Sequence, residues 1–139
     1  MQVHGSCAAR DGAGVLLLGP PGAGKSDLVL RLLDRGFVLV ADDRVEIADG
    51  FARPAEGLAG LLEVRGLGIV RLPYAAPVRL ALAVELGTQG ERLPTPARYR
   101  HADLPLLRLD ATHPSAAAVV ALALDCACGR VGQVAGAFA

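Results

Sequence analysis

Short apolar runs separated by turn residues make up most of this chain, a pattern that predicts more strands than helices. Buried strands are predicted at four such runs, residues 14–18, 37–41, 78–86 and 104–109. Residues 3–9 and 44–48 predict two further strands. Each of these two lies next to an Asp-Gly pair, at 11–12 and 49–50, and this dipeptide is typical of tight hairpin turns.

Two segments have helical patterns instead. Leu28, Leu32 and Leu33 share one face of a predicted helix over residues 25–35, and Gly36 follows as a helix-ending residue. An Ala-rich stretch predicts a second helix over residues 114–128. The first helix lies between two apolar strands, so we expect a β-α-β unit in which strand 37–41 runs parallel to strand 14–18 and next to it.

The loop between the first buried strand and the first helix fits the pattern G-x-x-x-x-G-K-[ST] at every fixed position. Its residues are Gly19, Pro20, Pro21, Gly22, Ala23, Gly24, Lys25 and Ser26. Glycines in such a loop let several backbone N–H groups point into one cradle, and the helix N-terminus behind them favours phosphate. Lys25 would reach the β- and γ-phosphates, and the Ser26 hydroxyl would hold Mg²⁺. We therefore predict an α/β fold, a P-loop kinase-like domain with a mixed β-sheet and flanking helices, that binds ATP and Mg²⁺.

Two acidic residues, Asp42 and Asp43, follow the next predicted strand. At the carboxyl end of a strand beside the phosphate loop, one carboxylate could orient Mg²⁺ and the other could face a second substrate. Residues 61–72 are harder to interpret because two glycines and the pair Glu63 and Arg65 interrupt an apolar run. This pattern fits a bulged strand with an ion pair as well as it fits a metal ligand (Glu63) and a phosphate contact (Arg65).

Composition narrows the classes of function. Fourteen basic and fourteen acidic residues cancel, which argues against nucleic acid or an anionic membrane as partner. The single lysine among thirteen arginines is Lys25, in the phosphate loop. No signal peptide and no membrane span are indicated, and three cysteines form no disulfide framework, so we expect a cytoplasmic protein. The length predicts one domain over residues 1–139, with a loose tail at 129–139.

Four sequence elements together resemble the catalytic domain of the HPr kinase/phosphorylase family. They are His4-Gly5, the loop 19–26, the run from Arg35-Gly36 to Ala41-Asp42-Asp43-Arg44-Val45, and Glu63-Val64-Arg65-Gly66-Leu67-Gly68-Ile69. The resemblance covers residues 3–95 best. It implies a protein kinase that phosphorylates a serine of HPr, the phosphocarrier protein of the phosphotransferase system. Family members are typically hexameric, so a homo-oligomer is expected.

Roles of individual residues follow from the same resemblance. His4, Lys25 and Arg92 match residues important in catalysis, and Asp43 matches the base that deprotonates the acceptor serine. Ser26 and Glu63 match Mg²⁺ ligands. Asp42 matches the Walker-B carboxylate, so the expected Mg²⁺ ligands are Ser26, Asp42 and Glu63.

The sequence departs from the family pattern at two places. The match begins at His4, so we expect the family's N-terminal domain to be absent, as in truncated proteobacterial forms. The family's later basic segment, linked to dephosphorylation, has no counterpart at 108–114, so kinase activity is supported and phosphorylase activity is not. Two alternatives remain open: a small-molecule kinase with the same phosphate loop, and a nucleotide-binding regulatory module without catalysis.

Overall fold

A nine-stranded mixed sheet and a separate two-stranded sheet contain the strands of this protein in a computed structural model that describes residues 1–139. The first six strands are β1 (Gln2–His4), β2 (Ser6–Arg10), β3 (Ala13–Leu18), β4 (Val38–Ala41), β5 (Arg44–Ala48) and β6 (Phe51–Pro54). The other five are β7 (Leu61–Val64), β8 (Gly68–Arg71), β9 (Val78–Leu86), β10 (Arg98–Tyr99) and β11 (Leu104–Leu109). The helices are α1 (Lys25–Leu33) and α2 (Ala116–Ala127).

Both predicted Asp-Gly turns are present. Asp11 and Gly12 have φ angles of 53° and 78° and join β2 to β3. Asp49 and Gly50 have φ angles of 55° and 81° and join β5 to β6. Two consecutive positive φ angles are what a type I′ hairpin turn requires, and this explains why the dipeptide located both hairpins correctly.

The order of the central strands differs from the predicted one. Strand β4 does not pair with β3, because β2 lies between them and pairs antiparallel with both. The hairpin turn at residues 11–12 folds β2 back onto the edge of β3 that β4 would have occupied. β4 still runs in the same direction as β3, so the expected β-α-β direction holds although the expected adjacency was wrong.

Four strands of one direction bring their carboxyl ends to the same edge of the sheet. β3 pairs parallel with β9, and β9 pairs parallel with β11. β4 has the same direction because β2 is antiparallel to both β3 and β4. Ligands of open α/β sheets bind outside this edge, so the topology gathers the phosphate loop, Asp42 and Asp43 in one place.

Each face of the sheet has its own hydrophobic core. Along β3, Val15 and Leu17 pack into the core that also contains α1 and α2, whereas Leu16 packs into the core beneath β5 and β6. Successive strand residues point to opposite faces, which produces this division. Both cores being apolar explains why the central strands read as continuous hydrophobic runs.

Residues 61–72 form a hairpin, not the bulged strand that was one of the two interpretations. β7 and β8 pair antiparallel with each other and with no other strand, and Glu63 lies opposite Ile69. Gly66 and Gly68, with φ angles of 84° and 127°, allow the chain to reverse there. Glu63 and Arg65 form no ion pair with each other.

Helix α2 is apolar on nearly all sides and packs against the sheet. Arg10 of β2 fastens it, since its Nη2 donates to the Ala121 carbonyl at 3.2 Å and to Asp125 Oδ1 at 2.9 Å. Neither α1 nor α2 combines the length and the apolar character that crossing a membrane requires. The residues after α2 contain no helix or strand, and among them Ala137 is buried and Phe138 packs against the core of the helical face.

Candidate active site

A cavity of about 510 Å³ opens at the sheet edge where the four strands end. Its walls come from the phosphate loop and α1, the start of β2, the end of β4 and the β7–β8 hairpin. Five of the eight predicted loop residues line it, namely Pro21, Gly22, Gly24, Lys25 and Ser26. Asp43 and Glu63 line it as well, so the fold brings together donor-side and acceptor-side candidates that are far apart in the sequence.

The phosphate loop has a backbone shape that side chains larger than hydrogen would disturb. Gly19 has a φ of 149°, and a Cβ there would lie 2.8 Å from the Leu86 carbonyl oxygen of β9. Gly24, with a φ of 93°, is the N-cap residue of α1. Ala23 N–H donates to the Pro20 carbonyl at 3.1 Å, closing the turn between them. The glycines are therefore required by geometry at both ends of the loop.

Lys25 is hydrogen-bonded to the first two residues of its own loop. Its Nζ donates to the Gly19 carbonyl at 2.8 Å and to the Pro20 carbonyl at 3.0 Å. An ammonium group has three N–H donors, so a third remains for a ligand. Lys25 lines the cavity, and its compact charge suits a phosphate oxygen approaching the loop.

Asp42 is buried, with 6% of its surface exposed, and it accepts more hydrogen bonds than any other side chain of the site. Ser26 Oγ lies 2.8 Å from its Oδ1 and 3.0 Å from its Oδ2. Ser6 Oγ donates to Oδ1 at 2.7 Å, and the Glu63 N–H approaches Oδ2 at 3.4 Å. The carboxyl group therefore ties β2, α1 and the β7–β8 hairpin together, because a buried polar group needs hydrogen-bond partners.

Asp43, the next residue, has the opposite environment. Its side chain is 69% exposed, and its Oδ2 lies 3.9 Å from Nε of Arg44, a distance at which an exposed ion pair contributes little. Its φ of 70° is unusual for a residue with a side chain, and its carbonyl accepts the Gly5 N–H at 3.1 Å. This backbone turn after β4 is why Asp42 points inward while the Asp43 carboxylate lines the cavity.

The β7–β8 hairpin forms the outer wall. Leu62 is fully buried in the helical-face core and holds the hairpin in place. Glu63 and Arg65 are exposed and line the cavity. Arg65 makes no ion pair within the chain, so its guanidinium is available to an anion.

Two of the predicted catalytic residues do not line this cavity. His4 ends β1, is exposed and lies opposite Arg44 in the sheet, one residue before the Gly5 N–H that holds Asp43. Arg92 lies in the segment between β9 and β10, also exposed. Their roles stay predictions.

Sequence reasoning did not single out four lining residues, namely Ser6, Asp27, Leu30 and Val64, and of these only Ser6 forms a hydrogen bond to Asp42. Ser6 is fully buried at the start of β2. No sequence signal could have found it, because a single serine before Cys7, Ala8 and Ala9 forms no pattern. Burial raises the pKa of the neighbouring Cys7 thiol far above its ordinary value, so that thiol stays neutral and takes no part in the polar network.

Oxygen atoms suited to a divalent cation are concentrated between α1 and the hairpin. No group of three His, Cys, Asp or Glu side chains is arranged to hold a metal alone. Mg²⁺ usually needs only one or two carboxylates and takes its other oxygens from substrate phosphates and water. The Ser26 hydroxyl beside the buried Asp42 carboxylate, with Glu63 on the facing wall, fits that requirement.

Comparison with known proteins decides the family. Residues 1–75, more than half of the 139 residues, match the family model described as HPr Serine kinase C-terminal domain. The chain belongs to this family. The resemblance noted in the sequence is thereby confirmed.

Curated members of the HPr kinase family are similar over part of their length. The HPr kinase/phosphorylase of Streptococcus thermophilus is 48% identical over 93 residues, which cover 61% of this chain and 30% of that protein. The HPr kinase/phosphorylase of Lactococcus lactis subsp. lactis is 47% identical over 73 residues, covering 49% of this chain and 24% of that protein. The chain thus spans less than a third of the length of these relatives.

A solved structure shares the fold. The structure of the Hpr(Ser) kinase/phosphatase from Coxiella burnetii superposes with a TM-score of 0.69, covering 88% of this chain and 86% of that chain at 20% sequence identity. The α/β fold with a mixed sheet and flanking helices, predicted from the sequence, is confirmed.

Proposed function

We propose that this chain transfers the γ-phosphoryl group of ATP to a serine hydroxyl of HPr in a Mg²⁺-dependent reaction. The observation that carries the proposal is the pair of adjacent carboxylates, of which Asp43 lines the cavity. Asp42 is buried and bonded to the Ser26 hydroxyl, and Asp43 is exposed beside it. Membership in the HPr serine kinase family and relatives named HPr kinase/phosphorylase support the choice of acceptor.

The donor half consists of the phosphate loop and the metal ligands. Backbone N–H groups on the helix side of the loop, from Gly22 to Ser26, and the Lys25 ammonium would bind the phosphates. Ser26, Asp42 and Glu63 would hold Mg²⁺, Asp42 through the Ser26 hydroxyl or directly. When bound there, the cation neutralises charge on the transferring phosphoryl group.

The acceptor half centres on Asp43. Its carboxylate takes the proton of the acceptor serine hydroxyl as the serine oxygen forms its bond to the γ-phosphorus. The bond between that phosphorus and the oxygen bridging to the β-phosphate breaks, and ADP leaves. Exposure of the Asp43 side chain supports this role, because the acceptor hydroxyl belongs to another protein and must reach it.

Three further residues complete the proposed machinery. Arg65, unpaired on the cavity wall, would contact the transferring phosphoryl group. His4 would act next to Asp43, since the adjoining Gly5 N–H holds the Asp43 carbonyl at 3.1 Å. Arg92 retains a catalytic role on the strength of the sequence resemblance alone.

The remaining parts of the proposal concern the whole protein. Residues 1–139 would form a single catalytic domain that acts as a homo-oligomer in the cytoplasm, where thiols such as the free Cys7 stay reduced. We propose the kinase direction only, because the segment 108–114 lacks the basic pattern that the family associates with dephosphorylation.

A transfer assay tests the proposal. The purified chain is incubated with ATP labelled at the γ-phosphate, Mg²⁺ and HPr from the same organism, and label on a serine of HPr is the expected result. Lys25→Ala and Asp43→Asn should each abolish the transfer, and Asp43→Asn should retain ATP binding. Label on a sugar or nucleotide from an acceptor panel would instead indicate a small-molecule kinase.

Asp49→Asn is the matched control. Asp49 is also an exposed aspartate with positive φ, 55° against 70° for Asp43, but it lies in the β5–β6 turn. It should transfer phosphate like the unmodified chain. ATP binding without turnover on any acceptor would mean a regulatory module, and near-normal transfer by Asp43→Asn would refute the assignment of the base.

A further inference from the structure

Two buried residues of this chain are polar or charged, Ser6 and Asp42, and they are bonded to each other. A buried hydroxyl needs a partner, but a small residue on a strand could as well have been alanine, like Ala8 on the same face. Ser6 instead carries its oxygen to within 2.7 Å of Asp42 Oδ1. Because alanine would fill the same space, this hydrogen bond indicates that the Ser6 hydroxyl has a further role.

The hydrogen-bond donors and acceptors of Ser6, Ser26 and Asp42 show what that role is. An ionised carboxylate only accepts hydrogen bonds, whereas each serine hydroxyl has one proton to donate. The Ser6 hydroxyl therefore donates a hydrogen bond to Asp42 Oδ1, and the Ser26 hydroxyl donates one to the same carboxylate. With its proton committed to Asp42, the Ser26 hydroxyl has its lone pairs left for a cation in the cavity.

We propose that Ser6 is a positioning residue for the metal–nucleotide site. It fixes the Asp42 carboxylate in the orientation that accepts the hydrogen bond from Ser26, and thereby points the Ser26 oxygen lone pairs at the cation. This inference rests on the proposed function, since it assigns Ser26 to a Mg²⁺–ATP complex. It adds a residue from β2, outside the phosphate loop, the acidic pair and the hairpin.

A purely structural role for Ser6 makes a different prediction. If the serine only satisfied a buried carboxylate, its loss would lower the free energy of unfolding and leave the metal affinity of the folded protein unchanged. If it positions Asp42, the metal affinity of the folded protein must fall while nucleotide binding without metal stays normal. Lys25 and the loop amides bind phosphate in both cases.

The experiment measures Mn²⁺ bound in the presence of a non-hydrolysable ATP analogue, by electron paramagnetic resonance of the free ion. Ser6→Ala should bind Mn²⁺ about tenfold more weakly, a difference of about 1.4 kcal/mol. Its affinity for the analogue in excess EDTA should stay within about twofold of the unmodified chain. Ser6→Thr, which keeps the hydroxyl, should restore Mn²⁺ affinity to within about twofold.

Cys7→Ala is the matched control. Cys7 is the next residue on β2, equally buried, and packs into the opposite core. It should lower stability without changing Mn²⁺ affinity. If Ser6→Ala does not fold, Ser6→Cys gives the same comparison, because its thiol is similar in shape but a weak donor.

Two outcomes would overturn the inference, and they differ from each other. Equal Mn²⁺ affinity in the unmodified chain and in Ser6→Ala would refute the role of Ser6 and leave the proposed function standing. No nucleotide-dependent Mn²⁺ binding by the unmodified chain would refute both.

Discussion

Replacing Gly19 by alanine should damage the phosphate loop from its first residue. The added Cβ would lie 2.8 Å from the Leu86 carbonyl oxygen and 3.1 Å from the Ala23 Cβ. The carbonyl belongs to the last residue of β9, which pairs with Leu109 of β11, so moving it aside would disturb the end of that ladder. The φ of 149° is also one that residues with a side chain rarely adopt.

The size of the effect follows from two separate costs. A side chain in a sparsely populated backbone region costs about 1–3 kcal/mol. Forcing an extra carbon into a packed site costs about 1–3 kcal/mol more. Gly19→Ala should therefore lower the free energy of unfolding by about 2–6 kcal/mol. Since Gly19 also supplies a carbonyl to Lys25 at 2.8 Å, affinity for ATP should fall with it.

Urea denaturation of Gly19→Ala and Gly12→Ala provides the measurement. Gly12 has a φ of 78°, and a Cβ added to it would have no other atom within 4 Å, so its replacement carries only the backbone cost of about 1–2 kcal/mol. With a slope of about 1–3 kcal/mol per molar urea, the two midpoints should be clearly separated. Equal destabilisation of the two variants would refute the steric argument at Leu86.

Two other predictions concern a strained residue and a buried thiol. Asp43→Gly should raise the free energy of unfolding by about 0.5 kcal/mol, because relief of the φ of 70° outweighs the entropy cost of glycine, and it should abolish phosphoryl transfer. Asp49→Gly should raise the free energy of unfolding by a similar amount in urea denaturation and should keep transfer. A lower free energy of unfolding for Asp43→Gly would contradict the argument. Cys7 should react with a thiol reagent only after unfolding, whereas the exposed Cys128 reacts in the native chain. Burial raises the pKa of the Cys7 thiol above its ordinary value of 9.0, so above that pH the native state keeps a proton that the unfolded state loses. The free energy of unfolding should therefore decline as pH rises through that value. The same pH profile in the unmodified chain and in Cys7→Ala would contradict this prediction.

Local signals predicted the elements well and their arrangement less well. The runs that became β3, β4, β9 and β11 were identified because strands buried on both faces are apolar throughout. Their order was partly wrong, since nothing in the run 37–41 states that β2 will lie between it and β3. Strand pairing depends on which edges remain free after the hairpins have formed, and that is a property of the whole chain.

The residues of the site also differ in how far the sequence could predict them. The positions of the loop 19–26 and of Asp42 could be predicted because a sequence motif and a strand end fix them, whereas their roles stay predictions. Ser6 could not, since a serine in a short strand carries no pattern until its neighbour across the sheet is known. The hairpin at 61–72 was equally hidden, because the glycines that reverse the chain at 66 and 68 are also typical of a bulge.

The separate two-stranded sheet makes the two walls of the cavity unequal in local stability. Backbone pairing joins β7 only to β8, so the hairpin is held by its inner face around Leu62 and by the 3.4 Å contact from Glu63 N–H to Asp42. Opening it breaks none of the ladder of the nine-stranded sheet, and therefore costs less than global unfolding. Hydrogen exchange should accordingly be faster in the hairpin than in β3 and β9. The wall of the cavity that carries Glu63 and Arg65 should thus open independently of the strands that carry the phosphate loop and Asp43.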